Sequence, residues 1–442
     1  MNNVVINMNS SQATLGNFQN VGNLNLATFN TSIQNMLGAK AVNGTVYKMT
    51  INGGNLSLDR DVDLDSSSDI FNSITSERIV NEVQSGTTVS STSGKGLAIG
   101  SNSLANTATS YNQSGYRING TVDISGGSGL KTGVFTDFGI IDITNSGKIA
   151  VDKGIGAYGV NGSKITNAGA VNITGTPAPG SRNIGITGLA LNVDSSSNPV
   201  LDTYGSSVIA GANAVDITNT GTISAAGDEA IGIFADNNRD GLDKSKVLVT
   251  NKGNINVSGN KGVGIYANGA TVELGTNSNI TVGSNGIGIK TINSETKITD
   301  NVTFNVGSLG VALSLEGNET ITGMAGKTVT VNYNTSSLSD VGIGIYYKGD
   351  STASEQLVNK ADLRIGFEPS PAADKKVVGI YALGTSGSQK AKVINEGIIT
   401  TGKNDTAIYA KDADIENKAA MTIGEGSTGI AVFNGSVAQN DG

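Results

Sequence analysis

Short runs in which apolar and polar residues alternate recur along most of the chain. One run, at 231–235, reads Ile-Gly-Ile-Phe-Ala, and another, at 263–267, reads Val-Gly-Ile-Tyr-Ala. A period of two is the side-chain period of a β-strand, whereas a helix repeats every 3.6 residues or about that. The first, third and fifth residues of each run are therefore predicted to face one side of a strand. The glycine and the aromatic residue are predicted to face the other side.

A second motif, Asn-x-Gly-x-aliphatic, keeps a nearly constant distance from the first. Copies begin at Asn145, Asn167, Asn219, Asn251 and Asn395, and copies with alanine in place of glycine begin at Asn359 and Asn417. Four spacings between copies are 22, 32, 36 and 22 residues, and in four copies the aromatic residue follows the Asn by 13 to 15 residues. Two motifs that keep one phase indicate a structural repeat.

The repeat predicts an all-β fold, a right-handed parallel β-helix (β-solenoid) with irregular loop insertions. A unit of 22 residues cannot bury its apolar face alone, but stacked units bury it continuously. The Asn of each copy precedes a strand, where the chain turns, so equivalent Asn side chains in successive coils can hydrogen-bond along the axis. The glycine suits a tight corner, and Ala361 and Ala419 indicate that glycine is preferred there rather than required.

The regularity of the pattern divides the chain. Residues 1–110 are predicted to form divergent β-helical coils or an N-terminal subdomain, and residues 111–442 a repetitive parallel β-helix. Insertions are predicted at about 174–207, 236–246, 347–356 and 366–376. All five prolines lie in stretches that lengthen a coil, which fits this register because proline removes a strand hydrogen bond. Segment 69–83 is either a short helix or a pair of strands.

Composition narrows the range of functions. The chain has 29 basic and 37 acidic residues, a net charge of −8, and no Lys/Arg cluster with interleaved aromatic residues, so no nucleic-acid partner is expected. The absence of Cys excludes disulfides and thiol catalysis, and the absence of His removes the usual general base at neutral pH. No signal peptide or transmembrane helix is recognised, which predicts either a cytosolic protein or a piece of a longer exported one.

The two motifs together carry a resemblance to a known family. They are Asn-x-Gly-x-Ile with Ile-Gly-Ile-Phe-Ala (231–235), Gly-Val-Gly-Ile-Tyr-Ala (262–267) and Gly-Ile-Gly-Ile-Tyr-Tyr (342–347). Over about residues 118–433, this repeat style resembles the passenger domains of type V secretion autotransporters, in particular the very large fusobacterial outer-membrane adhesins. The resemblance implies an extracellular virulence adhesin, present here as an internal fragment whose parent is anchored in the outer membrane by a C-terminal barrel. The implied partner is a host receptor protein or glycan, or another bacterial surface.

One candidate metal site lies in an insertion. Asp236, Asn238 and Asp240 are spaced as in the opening of a calcium loop, with Gly241 next and Asp243 beside it. Val247 stands where such loops carry a bidentate Glu, so an ordinary polar turn is favoured, with weak Ca²⁺ binding as the alternative. No other cofactor is expected.

The proline-bearing insertions are the predicted ligand-binding loops, because recognition concentrates in loops on a rigid scaffold. The alternative is tolerated variation in loop length without a ligand. Their candidate residues are Pro177, Pro179, Arg182, Glu368, Pro369 and Pro371. Scaffold aromatic residues form an outward ladder if their coils stack in phase, and these are Phe234, Tyr266, Tyr346, Tyr381 and Tyr409. Such a stripe either binds sugar rings or covers neighbouring glycines such as Gly232, Gly264 and Gly379 on the sheet surface.

Two classes of function fit this reading. One is a non-catalytic cell-surface adhesin, and the other is a polysaccharide hydrolase or lyase, including phage tailspike-like proteins, because the same solenoid hosts such enzymes. These enzymes need clustered carboxylates, or Asp with Lys or Arg, in a groove. The acidic residues scatter along this chain and Trp is absent. The sequence therefore predicts the adhesin and assigns no catalytic residue.

Overall fold

A computed structural model describes most of the chain. The described residues are 80–91, 96–100, 115–125, 129–137, 139–160, 162–190, 214–237, 243–334, 341–349, 356–366, 376–384 and 390–442, preceded by short segments at 48–49, 57–58, 62–63 and 71–73. The chain divides into an N-terminal unit, residues 1–226 with 237–240, and a C-terminal unit, residues 227–236 with 241–442.

The N-terminal unit consists of short strands. In chain order they are β1 (Lys48–Met49), β2 (Ser57–Leu58), β3 (Val62–Asp63), β4 (Phe71–Ser73), β5 (Val80–Val83), β6 (Thr88–Ser91), β7 (Leu97–Gly100), β8 (Gly115–Ile118), β9 (Thr121–Ile124), β10 (Lys131–Asp137), β11 (Ile140–Ile143), β12 (Lys148–Val151), β13 (Gly154–Val160), β14 (Lys164–Asn167), β15 (Ala170–Ile173), β16 (Ile184–Ala190), β17 (Val215–Asn219) and β18 (Thr222–Ala225). Strands β4 and β5 lie in segment 69–83, so the described residues of that segment form strands, not the alternative helix.

The C-terminal unit continues the same order of elements. Its strands are β19 (Ile231–Asn237), β20 (Val247–Asn251), β21 (Asn254–Val257), β22 (Val263–Asn268), β23 (Thr271–Leu274), β24 (Asn279–Val282), β25 (Ile287–Ile292), β26 (Glu295–Ile298), β27 (Val302–Gly307), β28 (Val311–Glu316), β29 (Glu319–Gly323), β30 (Thr328–Asn334), β31 (Val341–Lys348), β32 (Gln356–Asn359), β33 (Asp362–Ile365), β34 (Lys376–Leu383), β35 (Ala391–Asn395), β36 (Ile399–Thr401), β37 (Thr406–Lys411), β38 (Ala413–Asn417), β39 (Met421–Thr422), β40 (Thr428–Phe433) and β41 (Ala438–Asn440). A 3₁₀ helix, Lys244–Lys246, precedes β20.

Strands that lie three apart in the chain order pair in parallel, so each unit contains three sheets. Sheet A holds β1, β4 and every third strand onward, sheet B begins with β2, and sheet C begins with β3. One strand from each sheet makes one coil. This is a right-handed parallel β-helix, which confirms the fold class predicted from the repeat. The predicted division near residue 110 stays a prediction.

The core is a set of aliphatic columns, because equivalent residues of successive coils pair in register. One column of sheet A consists of Ile233, Ile265, Ile289, Leu313, Ile345, Ile380 and Ile408. All seven side chains are buried. Stacking each coil on the next therefore removes from water the apolar face that one coil cannot cover alone.

The predicted alternation fails at the glycine of the Val-Gly-Ile-Tyr-Ala motif. A Cβ on Gly264 would lie 2.5 Å from Ile280 Cγ2 and 2.4 Å from the Gly288 carbonyl oxygen, so the glycine faces the core. Gly232 and Gly379 have comparable interior contacts, so the idea that the aromatic residues cover these glycines on the outer surface is wrong. Two consecutive residues, Gly264 and Ile265, are therefore both buried in this strand.

We expect Gly264→Val to lower the free energy of unfolding by about 2 to 3 kcal/mol, because overpacking a closed interior forces backbone shifts. Gly429 is the matched control: it lies in the equivalent place of β40, and a Cβ there would have Met421 Cε, at 3.9 Å, as its nearest atom. Urea unfolding of the two variants should give a large loss for the first and a small change for the second. Equal losses would contradict the interior position of Gly264.

Candidate functional site

The outer faces of the three sheets in the C-terminal unit differ in chemistry. Sheet C presents mainly Thr and Asn, for example Thr281, Thr303 and Thr330, which are half-buried. Sheet B presents Lys and Glu in ion pairs together with the half-buried Leu248, Val358 and Ile394, and sheet A presents a longer run of aliphatic and aromatic side chains. Because a soluble surface is usually covered by mixed polar residues, the face of sheet A is the unusual one.

The aliphatic part of this face is a column at the start of the sheet A strands. Register pairing aligns Val263, Ile287, Val311, Ile343 and Val378. Each of these side chains is half-buried, whereas the core column two residues later in each strand is fully buried. The aliphatic column therefore lies on the solvent side of the sheet over five consecutive coils.

The aromatic part lies beside it, at the next outward position of each strand. The rings of Phe234 and Tyr266 stack with centroids 5.0 Å apart and planes at 5°. Tyr381 stacks between Tyr346 at 5.6 Å and Tyr409 at 4.9 Å, and Tyr409 also stacks on Phe433 at 4.9 Å. The predicted scaffold aromatics thus form two separate outward stacks.

Stacking determines which surface of each ring is accessible. Within a stack each inner ring has both faces covered by its neighbours, so only ring edges and hydroxyl groups reach solvent. A sugar ring that packs on an aromatic face cannot do so along the whole stripe. Burial also raises the pKa of Tyr266, Tyr346 and Tyr381 above the usual value of 10.0, so their hydroxyl groups stay neutral at physiological pH.

The two stacks are separated by an interruption, which we call the gap. Register pairing places Lys290 next to Tyr266, Ser314 next to Lys290, and Tyr346 next to Ser314. Beside it, Glu316 forms an ion pair of 3.0 Å with Lys348. The gap was not predicted from the sequence, although positions 287–290 and 311–314 repeat the motif pattern with Lys and Ser in place of the aromatic residue.

The face of sheet B is covered by ion pairs between coils. Lys392 and Lys418 bracket Glu416 at 3.3 and 3.0 Å, and Lys418 continues to Glu396, which pairs with Lys360 at 3.4 Å. The side-chain hydrogen bond from Lys418 is the main cause that lowers the pKa of Glu416. All of these side chains are partly exposed, so each pair adds little stability. The charged side chains of this network already have partners of opposite charge.

A shallow polar groove lies beside sheet C. It is lined by Thr276, Asn277, Ser278, Asn279, Asp300, Asn301, Thr303 and Asn305. The Asp300 carboxylate accepts hydrogen bonds from Lys327 and from Thr276, which hold its pKa well below the usual range. Asn305 donates to Asn279 at 2.8 Å, and Asn332 donates to Asn305 at 2.9 Å. The polar groups of the groove mainly bind one another.

The Asn of the Asn-x-Gly motif forms the internal ladder that the sequence predicted. Asn359, Asn395 and Asn417 each donate from Nδ2 to the Oδ1 of the Asn in the next coil at 2.7 Å, the last of them to Asn440. In the N-terminal unit Asn167 donates to Asn219 at 2.8 Å. Each Asn of the C-terminal ladder also donates to the carbonyl of the residue two positions later. These residues are scaffold.

Two other motif residues depart from this ladder. Asn251 donates to Ser278 Oγ at 2.7 Å, because the residue paired with it in the next coil is Leu274. Asn145 is exposed, and Ile143 is the residue paired with Asn167, so the prediction that Asn145 belongs to the ladder is wrong. The reason is turn length: four residues separate β11 from β12, against two between β14 and β15.

Two carboxyl groups are buried inside the C-terminal unit. Glu319 is 1% exposed, and its Oε1 accepts a hydrogen bond from the Ser294 amide at 3.1 Å. Burial raises the pKa of Glu319 from 4.5 to about 8. Asp405 accepts a hydrogen bond from the Val377 amide at 2.9 Å, and burial raises its pKa from 3.8 to about 6. Both groups lie at coil corners, away from the outer face of sheet A.

The predicted calcium loop is only partly described. The carboxylate of Asp236 accepts a hydrogen bond from Asn268 at 3.0 Å, and Asp243 caps the 3₁₀ helix through Ser245 and pairs with Lys246 at 3.6 Å. Asn238 and Asp240 lie outside the described residues. Within the described ranges, no three carboxylates converge where they could hold a metal ion. Calcium binding stays a prediction.

The predicted ligand loops are also described in part. Pro179 and Arg182 are exposed and Pro177 is half-buried, in the segment between β15 and β16. Glu368, Pro369 and Pro371 lie outside the described residues. A role in ligand binding therefore stays a prediction for both insertions. In the part of the chain that the structure describes, no helix has the length and apolar character to cross a membrane.

The chain was compared with known proteins at three levels. No protein-family model, no curated protein and no solved structure matches it.

Proposed function

We propose that this chain is a non-catalytic adhesion module of a bacterial cell-surface protein, which attaches to a host receptor, a glycan or another bacterial surface. A β-helix suits this role because it presents a long, rigid surface built from repeated coils. The resemblance of its motifs to autotransporter passengers supports the same role. The binding surface in this proposal is the outer face of sheet A in the C-terminal unit.

The observation that carries the proposal is the composition of that face. Five half-buried aliphatic side chains, from Val263 to Val378, lie next to two aromatic stacks. Single exposed apolar residues are ordinary, but a contiguous apolar surface on a protein marks a place where a partner binds. The outer face of sheet C in this unit is polar, whereas sheet B mixes ion pairs with the half-buried Leu248, Val358 and Ile394, so sheet C provides the internal comparison.

The alternative of a polysaccharide hydrolase or lyase has weaker support. Such enzymes need a carboxyl group that donates a proton to the substrate or removes one from it, and this group must lie in a groove open to the substrate. Three described carboxyl groups have a raised pKa: Glu319 and Asp405 are 1% and 2% exposed, and Asp236 is half-buried and accepts a hydrogen bond from Asn268. Asp300, which is in the groove beside sheet C, has a lowered pKa and binds Lys327. No observation favours a second function over adhesion.

The test is adhesion of beads coated with the full chain to cultured epithelial cells and to bacteria. Ile343→Glu places a charge on the face of sheet A, and Thr330→Glu places the same charge on sheet C, on strand β30, which directly precedes β31, where Thr330 is also half-buried. We expect the first variant to reduce binding at least about tenfold, which corresponds to one desolvated contact. The control should bind like the wild type. Equal binding by all three proteins would refute the assignment of the face.

A further inference from the structure

We propose that the gap between the two aromatic stacks is a binding slot for one pyranose ring that carries a carboxylate, as in a uronic or sialic acid residue of a glycan. This inference rests on the proposed adhesion function and names the class of ligand. The slot is bounded by the rings of Tyr266 and Tyr346, with Lys290 and Ser314 between them.

The faces of Tyr266 and Tyr346 that border the gap are not covered by another ring of the column. Tyr346 stacks on Tyr381, and the residue paired with Tyr346 on its other side is Ser314, which has no ring. Tyr266 stacks on Phe234, and its other neighbour is Lys290. The gap is therefore the part of this column in which two aromatic faces, rather than edges, look toward a space without a ring.

The spacing between successive coils matches the space that one stacked ring occupies. Coils of a parallel β-helix are spaced by about 4.8 Å, and stacked rings in this column have centroids 4.9 to 5.6 Å apart. One coil therefore accommodates one ring. Because the Ser314 side chain is a hydroxymethyl group, its level of the column has room for a ring supplied by a ligand, in the place that a Tyr would otherwise fill.

The residues around the slot offer groups that match those of a carboxylated sugar. Lys290 lies in the slot, forms no ion pair with a described residue, and has Tyr266 and Ser314 rather than an acid as register partners. The nearby Glu316 is already paired with Lys348 at 3.0 Å. The slot therefore offers an aromatic face for the C–H groups of a sugar, a hydroxyl group for its hydroxyls, and a positive charge for a carboxylate.

An aromatic side chain of a partner protein fits the slot less well. It would stack on Tyr346, but it would leave the Lys290 ammonium group and the Ser314 hydroxyl without a new partner. Desolvating such groups without compensation costs free energy. A carboxylated pyranose satisfies all three features at once.

The test measures binding of three probes to the full chain by ligand-observed NMR. The probes are methyl β-D-glucuronide, methyl β-D-glucoside and N-acetyl-tyrosinamide. We expect the glucuronide to bind more tightly than the glucoside by about fivefold, and the tyrosinamide to bind weakest. Ser314→Tyr, which fills the slot with the chain's own ring, should abolish glucuronide binding. Lys290→Gln should reduce it to the level of the glucoside. Thr330→Tyr, which adds a ring on sheet C, is the matched control and should change nothing.

Several results would overturn the slot. They are no binding of the glucuronide, unchanged binding by the Ser314→Tyr variant, an equal affinity for glucuronide and glucoside, or stronger binding of the tyrosinamide. Each of these leaves the adhesion proposal standing if Ile343→Glu still reduces attachment to cells. If Ile343→Glu has no effect while the glucuronide binds as described, the slot stands and the larger adhesive face is wrong.

Discussion

Asn395→Ala should lower the free energy of unfolding by about 2 to 4 kcal/mol. The Asn395 side chain is fully buried, donates to Asn417 Oδ1 at 2.7 Å and to the Gly397 carbonyl at 2.8 Å, and accepts from Asn359 at 2.7 Å. Alanine removes all three bonds and leaves polar groups of both neighbouring coils buried without partners. Leaving such groups unpaired costs more than a hydrogen bond contributes on average.

The matched control for this prediction is Asn145→Ala. Asn145 belongs to the same Asn-x-Gly-x-Ile motif, but it is exposed and outside the ladder. Its replacement should change the free energy of unfolding by less than about 0.5 kcal/mol. Chemical denaturation followed by far-ultraviolet circular dichroism measures both. If the two variants lose equal stability, the motif acts through its turn and not through the ladder.

The stability of the wild-type protein should fall as the pH rises from about 4.5 to about 8. The reason is the buried carboxyl of Glu319, whose pKa is raised from 4.5 to about 8. Between these values the folded chain holds a proton that the unfolded chain has lost. The contribution is fully present below pH 4.5 and is lost as the pH passes through the folded pKa, with a slope of up to about 1.4 kcal/mol per pH unit.

The comparison that isolates this effect is Glu319→Gln. Glutamine keeps an oxygen that can accept the hydrogen bond from the Ser294 amide, but it does not titrate. Asp405 contributes with the same sign only from 3.8 to about 6. The variant should therefore lose the decrease between pH 6 and 8, and below pH 6 it should keep only the part that Asp405 contributes. A wild-type slope that persists in the variant above pH 6 would contradict the assignment to Glu319.

The sequence predicted the β-helix and most of the ladder because both depend on a local pattern that repeats. It misplaced Asn145, because two additional residues in one turn shift the motif without changing its letters. It also missed Asn440, which ends the ladder and is followed two residues later by Gly442. Residue spacing within a motif does not reveal how many residues a turn contains.

The orientation of the glycines could not be predicted from alternation. Strict period two places Gly264 on the outer face with Tyr266, but Gly264 and Ile265 are both buried, and the glycine faces Ile280. Whether two consecutive residues face the interior depends on the neighbouring sheet, which a single strand does not encode. The burial of Glu319 could not be predicted for the same reason. The coils on both sides of Glu319 bury it, and the sequence around it shows no unusual pattern.

The gap could have been found from the sequence, but only with the register. Ile-Gly-Ile-Lys at 287–290 matches the strand motif except at the aromatic position, and Val-Ala-Leu-Ser at 311–314 departs there and at the glycine, which is Ala312. A search for aromatic residues passes over them, although they lie between Tyr266 and Tyr346 in one column. The interruption of the repeat, rather than the repeat itself, locates the slot that we propose.

We propose that the outer face of sheet A, and not the proline-bearing insertions, carries adhesion. One experiment compares cell attachment by beads coated with the wild type, with Ile343→Glu, and with Arg182→Ala combined with Glu368→Ala, one residue from each insertion. The expected result is a loss of at least about tenfold for Ile343→Glu and wild-type attachment for the double variant. Loss of attachment in the double variant, with full attachment by Ile343→Glu, would show that the insertions bind and that the face does not.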